Sequence, residues 1–440
     1  MHQKMIIAKN MEKQYLLAMY KTHMKSKFYL GMKGGESTKR VTRVEQHNIK
    51  CDSEFGKFVD EYCFKSKNLY NYANYLLRQS FIETNKTMRY NDLFQLVKDS
   101  EPYKDLGSNV GQGTLRMLDK AWKSFFMSIK DWSKNPSKYL GKPKLPQYKP
   151  KDGRYTLSLD SNKVKLIDGW IHFAWKPFKK FNNQFRTNAK DRILQCRFIP
   201  KGSHYVMEVV YEMEVPECNE QSERIAAIDI GVDNFITMVN NIGEQPIVVK
   251  GGIIKSINQY YNKQKAKLQA ELKTTNKQDW SKRLQKLTDK RYEMIKYQMH
   301  CISKYVVDWC VLYNIDTLIV GHNDEWKQNN KGMQNFTYIP YDLFIQMLAY
   351  KCENNGIKFI VNEEGYTSGT SFVDKEEPIK ENYNKSRRVH RGLFVGNNGI
   401  QINADVNGAY QIMKKVIPNA FANGIEGAGL HPLTIKKLVT

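Results

Sequence analysis

Several carboxylates in this sequence stand where a folded chain rarely leaves one idle. Asp229 closes a hydrophobic run, residues 224–229, and a charge at the end of a buried strand is costly unless it is paired or binds a metal. Gly231, two residues on, gives the backbone freedom for a tight turn. Glu363 and Glu364 end a second apolar run, residues 358–362, just before Tyr366-Thr367-Ser368. Adjacent strand residues face opposite sides, so one glutamate points toward a shared site and the other is solvated. Asp405 opens a late helix, where capping free backbone donors is a carboxylate's ordinary use. Singly, these are a turn aspartate, a solvated glutamate and a helix cap. Together they could converge on divalent metal, because two Mg²⁺ about 4 Å apart would activate water and stabilise a leaving 3′ oxygen. The chemistry expected of such a cluster is phosphodiester hydrolysis.

The elements around these residues alternate between strand and helix. Residues 224–229, 235–240 and 246–249 read as three consecutive antiparallel strands joined by turns at 231–234 and 241–243. A long helical region follows over 253–313, where Leu284, Leu287, Ile295, Met299, Ile302, Val306 and Trp309 recur at helical spacing. Then come a buried strand at 317–320, a helix at 341–354, the strand at 358–362 and a helix from Asp405 or Val406. Upstream, residues 41–49 read as one strand. Phe55, Val59, Cys63, Leu69 and Ala73, and then the broad apolar face of residues 114–132, predict a small helical lobe. Residues 136–151 alternate Pro143, Pro146 and Pro150 with Lys142, Lys144 and Lys149, which predicts a boundary or linker. Residues 155–215 turn to strands, with turns at Asp168-Gly169 and Lys201-Gly202. The first 40 residues, rich in Met, Lys and Gln, read as a tethered helical extension or mobile leader.

Charge points to the partner. Across 440 residues, 69 Lys and Arg face 45 Asp and Glu, a net +24, while 41% hydrophobic content is ample for buried cores. An excess of this size favours a polyanion. Lys176, Lys179, Lys180 and Arg186 interleave with Trp170, Trp175, Phe178 and Phe181, a mixture suited to backbone neutralisation and base stacking. The start mixes apolar residues with Lys4, Lys9, Glu12 and Lys13, unlike a signal peptide or membrane span. Seven scattered cysteines with no Cys-x-x-Cys pair argue against a disulfide framework and an ordinary zinc site. The expectation is a cytoplasmic protein with no membrane partner.

The motifs Asp229-Ile-Gly-Val-Asp-Asn, Glu364-Gly-Tyr-Thr-Ser and Asn403-Ala-Asp405-Val-Asn-Gly-Ala-Tyr resemble, in order and spacing, the split RuvC motifs of TnpB. That is the RNA-guided nuclease family of insertion sequences, related to compact type V CRISPR effectors. More weakly, Leu118-Asp-Lys-Ala-Trp-Lys-Ser-Phe-Phe and Gly141-Lys-Pro-Lys-Leu-Pro-Gln-Tyr-Lys resemble its helical recognition lobe and the run into its wedge domain. The resemblance implies an α/β chain with an RNase H-like (RuvC) nuclease domain, an N-terminal helical recognition lobe and a β-barrel-like wedge module. The implied divisions are residues 1–40 as an extension, 41–52 and 141–222 as wedge, 53–140 as recognition lobe and 223–440 as nuclease. Two departures stand out. Where the family's second motif usually ends a strand with glutamate, this chain has Gly321-His322-Asn323. Some members carry that glutamate on the later strand, which favours Glu364 over Glu363 and leaves His322 and Asp324 as rivals. The second departure is the missing zinc ribbon, since no cysteine follows Cys352. Residues 371–399, with Lys385, Arg387, Arg388 and Arg391, read as a basic nucleic-acid-facing loop in its place.

By this resemblance Asp229, Glu364 and Asp405 would be the catalytic metal ligands, for two Mg²⁺ and no zinc. The expected partners are a guide RNA, the double-stranded target DNA and its displaced single strand, next to a short flanking motif. Lys142, Lys144, Lys149, Lys176, Lys179, Lys180, Arg186, Arg387, Arg388 and Arg391 are the expected nucleic-acid contacts. Two alternatives stay open: a nuclease-dead RNA-guided DNA-binding regulator, and a compact CRISPR-associated effector of the same build.

Overall fold

The structure, a computed structural model, describes residues 38–218, 223–276, 278–322, 338–422, 424, 428–436 and 438. The expected extension lies, but for its last three residues, outside the described residues, and so does Asp324. The chain divides into two compact units, Arg40–Glu214 and Val215 onward.

The first unit opens with β1 (Thr38–Lys50) and α1 (Glu54–Thr84). Ser53 caps α1, its hydroxyl accepting from Gly56 N at 3.0 Å. Helices α2 (Tyr90–Val97), α3 (Glu101–Lys104) and α4 (Ser108–Lys134) follow. Leu115, Leu118 and Trp122 of α4 are buried, so its apolar face is core as the periodicity predicts. Next come β2 (Leu157–Asp160), β3 (Val164–Ile167), β4 (Trp170–Phe173), β5 (Ile193–Pro200) and β6 (His204–Pro216). The sheet order is β1-β6-β5-β2, with β3-β4 a separate hairpin turned by Asp168 and Gly169, both at positive φ.

Two expectations change here. The proline-rich stretch is not a loose connector. Asn71 brackets Lys149 through two backbone hydrogen bonds of 2.9 and 2.8 Å, and Asn74 and Arg78 both donate to Pro146 O. Prolines leave its carbonyls without helical partners, and polar side chains of α1 fill them, so the segment is a strap along that helix. Second, Trp175, Phe178 and Phe181 are buried. Phe178 and Phe181 ring Phe55, with centroids 5.4 and 4.7 Å away. Aromatic burial outweighs the exposure that base stacking needs. Two of the rings keep a basic neighbour on a face: Arg186 lies 4.7 Å from the Trp170 ring centroid and Lys180 Nζ 5.0 Å from that of Phe181.

The second unit is built on one mixed sheet. Its strands are β7 (Ile225–Ile230), β8 (Asn234–Asn240), β9 (Ile247–Lys250), β10 (Thr317–Gly321), β11 (Lys358–Asn362) and β14 (Leu433–Ile435), in the order β11-β10-β7-β8-β9-β14. β7, β10 and β11 are mutually parallel, whereas β8 is antiparallel to both its neighbours. The long helical region is two helices, α5 (Gly252–Asn276) and α6 (Lys282–Leu312), because Ser281 caps the second one afresh. These and α7 (Tyr341–Glu353) share one core with Ala226, Ile228 and Ile230. On the opposite face α8 (Ala404–Val416), Phe372 and Phe394 bury Ile225, Ala227 and Ile319. Two short strands, β12 (Leu393–Val395) and β13 (Gln401–Asn403), pair beside it.

Candidate functional site

Alternation along β7 decides where Asp229 goes. Ile225 and Ala227 belong to the α8 face, so Asp229 continues that row at the strand's carboxyl end. β10 and β11 run parallel to β7, and their ends deliver Gly321 and the two glutamates to the same edge. Ile360 on β11 also packs on the α8 face. Continuing at every second residue selects Glu364 rather than Glu363. A Cβ on Gly321 would stand 2.6 Å from Glu364 Oε1, so the glutamate fills the space that a side chain at 321 would need.

Asp405 arrives from α8. The N-cap is Asn403, whose Oδ1 accepts from Asp405 N at 3.0 Å and Val406 N at 3.2 Å. Capping, the ordinary use for Asp405, is thereby taken over, and its carboxylate turns elsewhere. Oδ2 accepts from Asn234 Nδ2 at 2.5 Å, and Oδ1 pairs with Arg388 Nη2 at 3.0 Å. Asn234 is held in turn by Lys250 Nζ, 2.6 Å from its Oδ1. The next turn of α8 explains the motif's remaining letters. A Cβ on Gly408 would come within 3.2 Å of Asp229 Oδ2. Asn407 is fully buried, accepting from Phe372 N and donating to Thr370 O at 2.9 and 2.8 Å.

The electrostatics follow from this crowding. Burial pushes the Asp229 carboxyl well above its usual range; the Glu364 and Asp405 carboxylates push the same way, and Arg388 opposes them. Burial lifts Glu364 to about 7. The Tyr341 hydroxyl, 3.3 Å from Gly231 O, is raised by burial and then by the Glu364 charge. Such a set is short of positive charge, and hard oxygen donors suit Mg²⁺. The donor chemistry therefore fits a divalent cation. The present geometry is not a closed cage: among the described residues no three acidic, His or Cys side chains are gathered tightly enough to enclose an ion. Both oxygens of Asp405 are instead engaged by Asn234 and Arg388.

The other site residues are dispersed. His322 turns its ring toward Asp342, 3.8 Å away. Arg387 pairs with Glu376 at 2.6 Å, and Arg391 pairs with Asp233, which Lys255 also holds. The basic loop thus directs three arginines onto carboxylates of its own unit, a role that charge counting missed. Asn234, Gly321, Gly408 and Tyr341 were missed as well. Gly408 and Asn234 lay inside the quoted motifs and Gly321 opened the departing second motif, whereas Tyr341 lay in none. In the first unit Lys142, Lys144, Lys176, Lys179, Lys180 and Arg186 are exposed and Lys149 is half-buried. Lys180 is also paired with Glu54 at 2.6 Å.

Comparison with known proteins bears on the fold and on the kind of chain this resembles. A family profile described as a probable transposase (OrfB_IS605) matches residues 208–327, and the Cas12f1-like TNB domain matches residues 341–412. A TnpB-like protein, ORF457 of Acidianus two-tailed virus, is 22% identical over 393 residues, covering 80% of this chain and 82% of its own. The protein of a Cas12f1–sgRNA–target DNA complex superposes with a TM-score of 0.51 at 13% identity, over 81% of this chain and 82% of its own. The mini-RNA-guided endonuclease CRISPR-Cas_phi3 gives a TM-score of 0.46 at 9% identity, over 91% and 94%. No helix among the described residues is long and apolar enough to cross a membrane. One chain thus carries matches to the OrfB_IS605 and Cas12f1-like TNB profiles, and its fold is similar to that of the Cas12f1 protein.

Proposed function

We propose that the chain is an RNA-guided DNA endonuclease in which Asp229, Glu364 and Asp405 form the metal-dependent cutting site. The observation that carries this reading is the crowding of three carboxylates at one sheet edge, which burial makes unstable without a cation. Bound there, Mg²⁺ would supply an activated water and neutralise the leaving 3′ oxygen. The chain's own residues do the rest. Gly321 and Gly408 clear room for two of the ligands, Asn403 fixes the helix start under the third, and the aliphatic faces of β7 and β10 exclude water behind them. Guide RNA would supply sequence recognition by base pairing, and the exposed lysines and arginines of residues 142–186 would neutralise backbone phosphates.

Cleavage tests this directly. Protein purified with its co-expressed guide should cut a plasmid bearing the matching target in Mg²⁺ and not in excess chelator. Asp229→Ala, Glu364→Ala and Asp405→Ala should each abolish cutting while Glu363→Ala keeps most of it. Target binding without cutting in any divalent metal sinks the enzyme. One observation favours that second reading, a nuclease-dead regulator: both oxygens of Asp405 are already engaged by protein donors.

A further inference from the structure

We propose that Arg388 is the resident counter-ion of the acidic site, occupying Asp405 in the place of a divalent cation and exchanging with it. The inference rests on the metal-site reading above and adds to it a step that precedes any chemistry. Asp405 has two oxygens: Oδ1 is 3.0 Å from Arg388 Nη2, and Oδ2 takes the Asn234 amide at 2.5 Å. An ion needs at least one of them, and Oδ1 is the one that can be released. Asn234 is anchored by Lys250 and sits at the start of β8. The Arg388 side chain keeps about a third of its surface exposed, at 36%, so it is only partly enclosed where it meets Asp405.

The loop is built to let this side chain move alone. Arg387, the preceding residue, is tied to Glu376 at 2.6 Å, and each of that pair is only 16% exposed. Glu376 is itself fixed by Ser371 N at 2.9 Å, and Gln411 and Lys414 both donate to its carbonyl. On the other side Arg391 is held by Asp233. The backbone is therefore pinned on both sides of Arg388 while its guanidinium swings between Asp405 and solvent. A phosphate of a bound nucleic acid offers that guanidinium an alternative bidentate partner. Divalent-ion affinity in the free chain is then lowered by the fraction of molecules in which Arg388 holds Asp405.

The test measures Mn²⁺ binding calorimetrically to the metal-free full-length chain at one fixed ionic strength, without nucleic acid. A partly exposed ion pair corresponds to at most roughly a fivefold bias in population, so Arg388→Gln should bind Mn²⁺ about three to five times more tightly than the natural chain. Arg391→Gln removes a nearby positive charge that touches no oxygen of Asp405, and should stay within about twofold. Arg388→Lys keeps the charge without the planar fork and should fall between, which also serves if Arg388→Gln folds poorly. Equal gains in the 388 and 391 variants would reveal a general field effect and overturn the proposal. An unchanged Arg388→Gln would do so too, leaving the metal site itself intact. Absence of Mn²⁺ binding in every variant would remove the metal site and this inference together.

Discussion

Glu364 gives the candidate site a pH signature. Its carboxyl is lifted by burial from an ordinary 4.5 to about 7. Between those values the folded chain keeps a proton that the unfolded chain has already released. Cation-free stability therefore falls as pH rises through that window, by a fraction of about 3 kcal/mol given the partial exposure. In chelator, Glu364→Gln should raise Tm at pH 8 by about 2–4 °C and leave it unchanged near pH 4.5. An equal gain at both values would mean that ionisation is not the cause. In the sequence β-strand alternation left either glutamate open and only the resemblance favoured 364; which row faces α8 is set by packing, where Ile360 lies on that face. Arg388 was not readable. Seventeen residues separate it from Asp405, and nothing in a run of basic side chains tells that one of them folds back onto an acid rather than outward.

At the scale of elements, α8 is positioned by its first turn. Asn403→Ala should cost about 1 kcal/mol in a denaturant melt, and cutting should fall more than stability does, because Asp405 loses the backbone bond that sets its direction. Cutting that merely tracks the folded fraction would argue against this positioning. The periodicity of apolar residues was enough to find β7 to β11 and the helices between them, since buried faces dictate those patterns. Where polar side chains make the decision, the pattern was silent. Ser281 divides the long helical stretch, and Asn71, Asn74 and Arg78 turn a proline-rich segment into a strap. Helix ends and extended segments depend on single hydrogen bonds, and these leave no period to read.

For the molecule as a whole, the excess of positive charge sets how it meets its partner. Exposed Lys142 and Lys144 lie on the strap with no acidic residue between positions 140 and 151. Replacing both with alanine should weaken nucleic-acid binding across sequences and reduce the slope of log affinity against log salt by about 1–2; an unchanged slope would place the phosphates elsewhere. The total charge was legible from composition, but its distribution was not, since Trp175, Phe178 and Phe181 went to the core while the lysines beside them stayed outside. The pairing of β1 with β6 has a last consequence. Arg40 Nε lies 3.5 Å from Glu214 Oε1, and Gln46 donates to Glu208 at 2.9 Å, so the first strand of this unit runs antiparallel to its last. The polypeptide enters and leaves residues 40–214 through one doorway, as an insertion does. Such a module can be lengthened, shortened or circularly permuted, with Glu214 joined to Arg40, without rethreading the chain that follows.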